Sequence, residues 1–465
     1  MRFNAYTYSE IQKILGFYYH CKNIYPFCMP INPKLRTFDV AMIVVSLVIG
    51  VGIFRTPAMV ASAASHPLLF FLAWILGGLV SICGALTYAE IGSRYHVPGG
   101  FYKIFSHCYH PAYAFMVNWV LVLTYGAGAA GVALIGVEYL APVVFPESWQ
   151  TKYGINTTVI LLVLFFGMLN YLGIKTGART QNILSATKII MILALFAGIF
   201  YATDVPPETL PLPDPPDFIG ALGISLIAIF YTYGGYQQTM NFGGDIKNAA
   251  KGIPRGIMAG MGIVIILYLG VNYAYYHVLG FERLMHSKLV ASDMAGRIFG
   301  PAGFKLVSIM IFVSVMGFVN VTIMSVPRVF YAMADDGMLP AVFKKVNPKT
   351  QTQEFALVFF IGIIILSVFL LGTFEKIVSY VMSIDSIALA TGAATLFILR
   401  KRHEGDFAGY RIPFYPVTPL IFILFLLIVT VNVLISDTVP AMIGLGLFAA
   451  GLPLYYLLKK FIPGK

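Results

Sequence analysis

Charge is what this sequence has least of: only 11% of its 465 residues are Asp, Glu, Lys or Arg. A soluble domain carries roughly 25%, and a disordered chain would be polar throughout, so both classes are excluded. Cysteine is scarce too. Cys21, Cys28, Cys83 and Cys108 show neither metal-ligand spacing nor a disulfide framework. A cleavable leader is not expected, because residues 1–35 contain Glu10, Lys13 and Lys22 and lack an apolar stretch. No Ser/His/Asp or Cys/His arrangement falls in a water-accessible segment, and the loops are too short for a soluble catalytic domain. An enzyme is therefore not expected, nor a cofactor or a metal.

Apolar residues fill the space that charge leaves. The chain is 58% hydrophobic and 15% aromatic, with a mean hydropathy of +0.82. A spanning helix needs about 20 mostly apolar residues. About twelve stretches meet that criterion, at roughly 38–65, 67–93, 111–141, 155–173, 181–203, 217–241, 254–280, 301–333, 355–372, 375–399, 415–436 and 438–458. The fold class is an all-α polytopic membrane protein embedded in the lipid bilayer. Before the first span, residues 1–35 are rich in Tyr and Phe, and two readings stand: an amphipathic arm at the interface, or a misassigned translation start.

Basic residues set the orientation. With both termini cytoplasmic, 23 of the 31 Lys and Arg fall on the cytoplasmic side, including Arg400-Lys401-Arg402, Lys344-Lys345 and Lys459-Lys460. Six fall outside, and Arg55 and Lys188 lie within spans. The outer loops are acidic, as at Asp204, Glu208, Asp214 and Asp217. This positive-inside pattern accounts for the net charge of +11 without a nucleic-acid partner.

Two spans carry interruptions. The first reads VVSLVIGVGIFRTPAMVASAA, with Gly50-Val51-Gly52 breaking a regular run and Pro57 suited to the first turn of a new helix. The sixth reads ISLIAIFYTYGGYQQTMNF, with Gly234-Gly235 at its middle. These are the first spans of two five-helix halves, and interruptions at matching places are the best sequence pointer to a transporter site. Unwound backbone at the midplane is tolerable only where it is buried in protein or lines a cavity. Its freed N–H groups, at a positive dipole end, suit a carboxylate, and its freed carbonyls suit an ammonium. Together they suit the head of an α-amino acid. Tight glycine-mediated helix packing is the structural alternative.

Four ordered motifs now carry a family resemblance. IGVGIFRTP resembles the G-S-G-I-F-x-x-P signature of the amino acid–polyamine–organocation superfamily, and LTYAEIGSRYHVPGGFY is similar to its S-Y-A-E-L-G…P-x-[SG]-G-x-Y. FYTYGGYQQTMNFGGDIKNAAKGIPRGI resembles F-x-Y-G-G-W…E-E-[VI]-K-N-P-x-x-x-I-P-R-[AG]-I, and NVTIMSVPRVFYAMADDGMLP resembles N-x-x-I-x-x-x-P-R-x-x-Y-A-M-A-R-D-G-x-L-P. The nearest likeness is to the L-type amino acid transporter branch. The resemblance implies a LeuT-type 5+5 inverted repeat. Residues 1–37 would be an N-terminal arm and 38–203 the first repeat. The second repeat would cover 204–400 with its preceding loop, and 401–465 would hold the last two spans and the tail. It also implies amino acid transport, with Ile49, Gly50, Val51 and Gly52 facing Tyr231, Thr232, Tyr233 and Gly234 across the substrate, and Tyr231 capping it.

The sequence departs from the family at Val51, where a small hydroxyl residue is usual, and at Tyr236, Ala249 and Asp335, which stand for Trp, Pro and Arg. The last places any family salt bridge there in question. Sodium-independent members have a lysine at the position of Lys188, its ammonium filling the space of a sodium ion; the alternative is a lysine snorkelling to the interface. Arg55 lines an outer vestibule or reaches the surface. Asp385, in SYVMSIDSIALATG, is either protonatable or satisfied by Ser383, Ser386 and backbone. Glu90 and Asp245 suit gate or packing partners for basic residues, and Glu138 has no assigned role. His107-Cys108-Tyr109-His110 reads as interfacial packing, and Asn156-Thr157-Thr158 is a glycosylation sequon placed almost inside a span.

Small residues at 126–131, and apolar ones near Met316 and Phe318, suggest a roomy pocket for a neutral side chain. The function expected is thus sodium-independent uptake or exchange of neutral amino acids. Polyamine or cationic amino acid transport, and a non-transporting sensor, are the alternatives. The resemblance implies that heteromeric eukaryotic members of this branch join an ancillary glycoprotein through a cysteine between the third and fourth spans. Residues 142–154 have none, so no disulfide-linked subunit is expected, and a bacterial inner-membrane permease is.

Overall fold

The computed structural model describes residues 33–201, 218–287, 289–370, 374–402, 407, 409–436 and 438–461. Residues 1–32 of the expected arm and the acidic stretch 202–217 lie outside them. Among the described residues the secondary structure is helical, apart from two isolated bridges, Leu35 with Ile246 and Pro98 with Phe242. In chain order the helices are α1 (Thr37–Val48), α2 (Gly52–Ala64), α3 (Pro67–Arg94), α4 (Gly100–Cys108) and α5 (Pro111–Val144). Then come α6 (Lys152–Tyr171), α7 (Ile174–Ala197), α8 (Phe218–Tyr233), α9 (Ala249–Leu279) and α10 (Phe281–His286). The last are α11 (Val290–Asp335), α12 (Glu354–Leu370), α13 (Phe374–Arg402), α14 (Val417–Ser436) and α15 (Thr438–Phe461).

Eight of these, among the described residues, are long and apolar enough to cross a membrane, and α1 with α2 forms a ninth span bent by 45°. Large apolar side chains such as Leu68, Ile266 and Ile435 are exposed on the outside of the bundle, as lipid contact requires. In lipid, helices gain little from burying apolar surface against one another, so close backbone approach matters more. On α9, Gly256 and Gly260 lie one turn apart. A Cβ on Gly256 would stand 2.3 Å from Val40 Cγ1, and one on Gly260 2.6 Å from Val44 Cβ. That contact seats α9 against α1.

Helix ends differ from the apolar stretches because polar turns extend beyond them. The fifth span, expected from 181, begins at Ile174, directly after Gly173 with its φ of 135°. The turns KTGARTQ are helical but too polar to read as membrane. The seventh begins at Ala249, so Pro254 lies inside the helix and removes the donor for the Ala250 carbonyl. Ser93 Oγ donates to that carbonyl instead at 2.6 Å. The eighth continues from Val290 through a non-helical Gly300 (φ 64°) to Asp335.

Candidate substrate site at two helix breaks

Both expected interruptions are breaks in the structure. α1 ends at Val48, Ile49 leaves the helical region at φ −76°, ψ 85°, and α2 starts at Gly52. α8 ends at Tyr233, and after Gly234-Gly235 the chain resumes as a 3-10 turn over Tyr236–Asn241. The breaks touch. Gly235 has a φ of 115°, and a Cβ there would lie 2.7 Å from the Leu47 carbonyl oxygen; only glycine fits both constraints. Thr232 Oγ1 donates to Thr56 Oγ1 at 2.8 Å, tying α8 to α2. The residues from Ile49 to Gly52 and from Tyr231 to Gly234 are thereby brought together.

In the first turn of α2, Phe54 N already donates to Val51 O at 3.0 Å. The N–H groups of Gly52 and Ile53 ahead of it have no carbonyl four residues back within the helix and suit an anion. The carbonyls are partly occupied by the protein. Tyr268 of α9 donates to Val48 O at 3.0 Å and to Thr232 O at 3.3 Å, joining the two breaks through one hydroxyl. Sequence reasoning missed this residue; it is one of four tyrosines in α9, and nothing in the sequence marks which of them turns toward the breaks. Its ring packs with Trp74 and Tyr233. The Tyr233 side chain is buried in that aromatic group, so only its backbone faces the break. Tyr231 is hydrogen-bonded to Ser386 of α13.

Lys188 is fully buried on α7. Its Nζ donates to Ser46 O at 3.2 Å and to Ile49 O at 2.5 Å. The ammonium therefore sits against the end of α1, and the snorkelling alternative is set aside. Gly317 makes this possible: a Cβ there would be 2.8 Å from Lys188 Cε and 2.9 Å from Ser46 Oγ. Of its neighbours, Phe318 approaches within 3.9 Å of a Cβ built on Gly50, whereas Met316 packs toward Gly136. On α5, a Cβ on Gly126 would strike Ile363 at 2.5 Å, so that glycine serves helix packing. Gly128 has nothing within 4 Å of such an atom. It shares a helical face with Ile135, Tyr139 and Pro142, which line a cavity of about 230 Å³ near the end of α5 far from the basic residues.

Asp385, half-buried on α13, acts electrostatically on the hydroxyls of Tyr88, Tyr125, Tyr231 and Tyr236. Among the described residues no hydrogen bond or ion pair holds its carboxylate, so Ser386 does not satisfy it as expected; the Ser383 side chain lies outside the described residues. Arg55 and Glu138 both line the cavity.

Ion pairs close the opposite face, where Arg94, Lys344, Arg400 and Lys459 lie; we call it the basic face. Glu90 is fully engaged: Arg94 Nε donates to it at 2.7 Å, Arg400 at 2.9 and 2.6 Å, and Ile412 N at 2.7 Å. Asp245 pairs with Arg328, and its carbonyl accepts from Lys34 N and Leu35 N, both at 2.8 Å. Asp335 answers the question raised by its departure from the family: Lys103 reaches it at 2.9 Å and Lys344 at 2.6 Å. Lys103 also pairs with Asp336. Burial of Lys103 disfavours its charged form, but these two carboxylates outweigh it and hold the ammonium above the usual lysine range. His107 stacks on Tyr95 and His110 Nδ1 accepts from Ala112 N, capping α5. The sequon lies inside α6.

Broken spans meeting inside an all-helical membrane bundle define a transporter rather than an enzyme. The chain belongs to the amino acid permease family, whose sequence profile matches residues 35–455, and it is related to the L-type amino acid transporters. It is 29% identical over 422 residues to the serine/threonine exchanger SteT of Bacillus subtilis, covering 90% of this chain and 95% of that one. It is 26% identical to the large neutral amino acids transporter small subunit 2 of Homo sapiens, over 89% of this chain and 78% of the relative. With amino acid transporter protein 6 of Caenorhabditis elegans it shares 28% identity, over 92% and 82%.

Proposed function

We propose that the protein carries neutral amino acids across the cell membrane by alternating access, without sodium. The observation that carries this reading is the junction of the two breaks with Lys188. The N–H groups at the start of α2 would hold the substrate carboxylate, and remaining carbonyl capacity at the breaks, each oxygen having two lone pairs, the ammonium. Tyr231 would cap the substrate, and the space beside Gly128 would take its side chain. Specificity would then rest on that space, since the head group is common to all amino acids. The names of the relatives, which include neutral amino acid carriers, support this choice over polyamines.

A sodium ion at the same place would need the oxygens that Lys188 already occupies, and the ammonium excludes it by charge and volume. When charged, Lys188 ties α7 to α1; its release would free α1 to move. Proton coupling and obligatory exchange both suit that arrangement, with Asp385 a second candidate for coupling and Glu90 for gating. The moving group would be α1–α2, α3, α8 and α9, which pack on one another, rocking within the two repeats 38–203 and 204–400. The basic face would be cytoplasmic, following the positive-inside rule, with both termini there, in a bacterial inner membrane.

The test is uptake of labelled leucine and alanine into proteoliposomes in sodium and in choline media, for the native chain and Lys188→Ala. Native uptake should be equal in both media, and the variant should lose at least tenfold. Collapse of native uptake in choline would refute sodium independence. Normal transport by Lys188→Ala at every pH would remove the lysine from the mechanism. A preference for arginine or putrescine in competition would overturn the neutral substrate class, and binding without accumulation would point to a sensor.

A further inference from the structure

The cavity far from the basic face has a floor and two charged walls. Its floor is Val51, the residue at the start of α2. Arg55 stands four residues further along α2, about 6 Å along the axis, and Glu138 lines the same space from α5. Both are exposed, and both act electrostatically on the hydroxyl of Tyr139, which lines the cavity too. Opposite charges from two helices thus border one small volume. A third group, Ser308 of α11, lines it too. Serine and threonine in these spans commonly donate back to a carbonyl one turn earlier, as Ser81, Ser185 and Thr322 do. Ser308 does not: it is 1% exposed, and among the described residues its Oγ has no hydrogen-bond partner. A buried hydroxyl left so is destabilising, unless something entering the cavity supplies the bond.

The chemistry that answers all three groups is a small zwitterion. A carboxylate would pair with the Arg55 guanidinium, whose five donors can serve an anion alongside any other contact. An ammonium would pair with Glu138, and either end could bond to Ser308 Oγ. The volume of about 230 Å³ is below the roughly 300–1,000 Å³ of a drug-sized pocket, and suits one amino acid with its water. We propose that this cavity is a loading site for the zwitterionic head of an amino acid, held by Arg55, Glu138 and Ser308 before it passes one turn inward to the helix break. The proposal rests on the transport reading above. It adds a second, weaker site on the path from one face only, and paired charges there concentrate and orient the incoming dipole.

Sidedness separates this site from the central one. In proteoliposomes of known orientation, leucine and alanine uptake is measured from each face, for the native chain, Arg55→Gln, Glu138→Gln and Ser308→Ala. The ratio of the half-saturating concentration at the cavity face to that at the basic face should rise about tenfold for either charge variant, and less for Ser308→Ala. Equal shifts at both faces would overturn the loading site and place these residues in the central site or in the scaffold. A measurement without variants guards against misfolding: equilibrium binding of labelled leucine and alanine to the purified native chain should reach two molecules per chain in two phases. One molecule per chain would overturn the proposal while leaving transport intact. No transport of either amino acid from either face would instead sink the transport reading.

Discussion

Lys188 shows how one residue depends on a neighbour that contributes no atoms beyond its backbone. Its ammonium reaches two carbonyls of α1 only because position 317 has no side chain. A methyl group there would lie 2.8 Å from Lys188 Cε, and the flexible lysine would have to swing away. Gly317→Ala should therefore lower uptake several-fold, and Gly317→Val more. If displacement of the lysine is the cause, Lys188→Ala combined with Gly317→Ala should be no worse than Lys188→Ala alone, because residues sharing one interaction are not additive. Additive losses in initial uptake rates would show that Gly317 matters for something else. The lysine was legible in the sequence as a charge inside a span. Gly317 was passed over between Met316 and Phe318, because nothing in a linear sequence marks which glycine faces which side chain.

Among elements, the connection after α8 holds more of the basic face together than its length suggests. Through Asp245 it binds Lys34 and Leu35, just ahead of α1, by main-chain hydrogen bonds and α11 by an ion pair with Arg328. Arg328 also lies 4.7 Å over the Phe242 ring. The pair is almost wholly buried, so removing one partner strands the other charge, at a cost of roughly 3–5 kcal/mol. Arg328→Met should accordingly lower the thermal unfolding midpoint of the purified protein by several degrees. Adding Asp245→Asn should recover at least half of that loss, since the stranded charge is then gone. No recovery in the double variant would mean that the arginine acts through packing and its bond to the Met324 carbonyl. The expectation of Asp245 as a packing partner was reached from its place in the loop. The identity of the partner was not, because Asp245 and Arg328 are far apart in the chain.

At the scale of the whole molecule, the bundle is tied by ion pairs on one face and open to a cavity on the other. In the proposed transport cycle this would be one of the two end states. Assembly is argued at the same scale. Cys83 and Cys108 are free among the described residues; Cys83 lies in the span α3 and Cys108 at the end of α4 on the basic face, and residues 142–154 contain no cysteine. Cys21 and Cys28 precede the first span, on the side expected to be cytoplasmic. On that expectation the chain should run on a non-reducing gel as a single band that thiol does not change. A larger band collapsing with thiol, without aggregation, would reveal a disulfide-linked partner. The sequence by itself determined the membrane class, the approximate spans and the two breaks. Each follows from local composition: apolar length, and glycines where a helix cannot continue. Only the tertiary structure decided that Tyr268 and Lys188 occupy the freed carbonyls, that Gly128 rather than Gly126 borders open space, and that Arg55 and Glu138 share a cavity. Those facts depend on the rotation of each helix about its axis, and that rotation is set by contacts between residues distant in sequence, such as Val40 against Gly256 and Lys188 against Gly317.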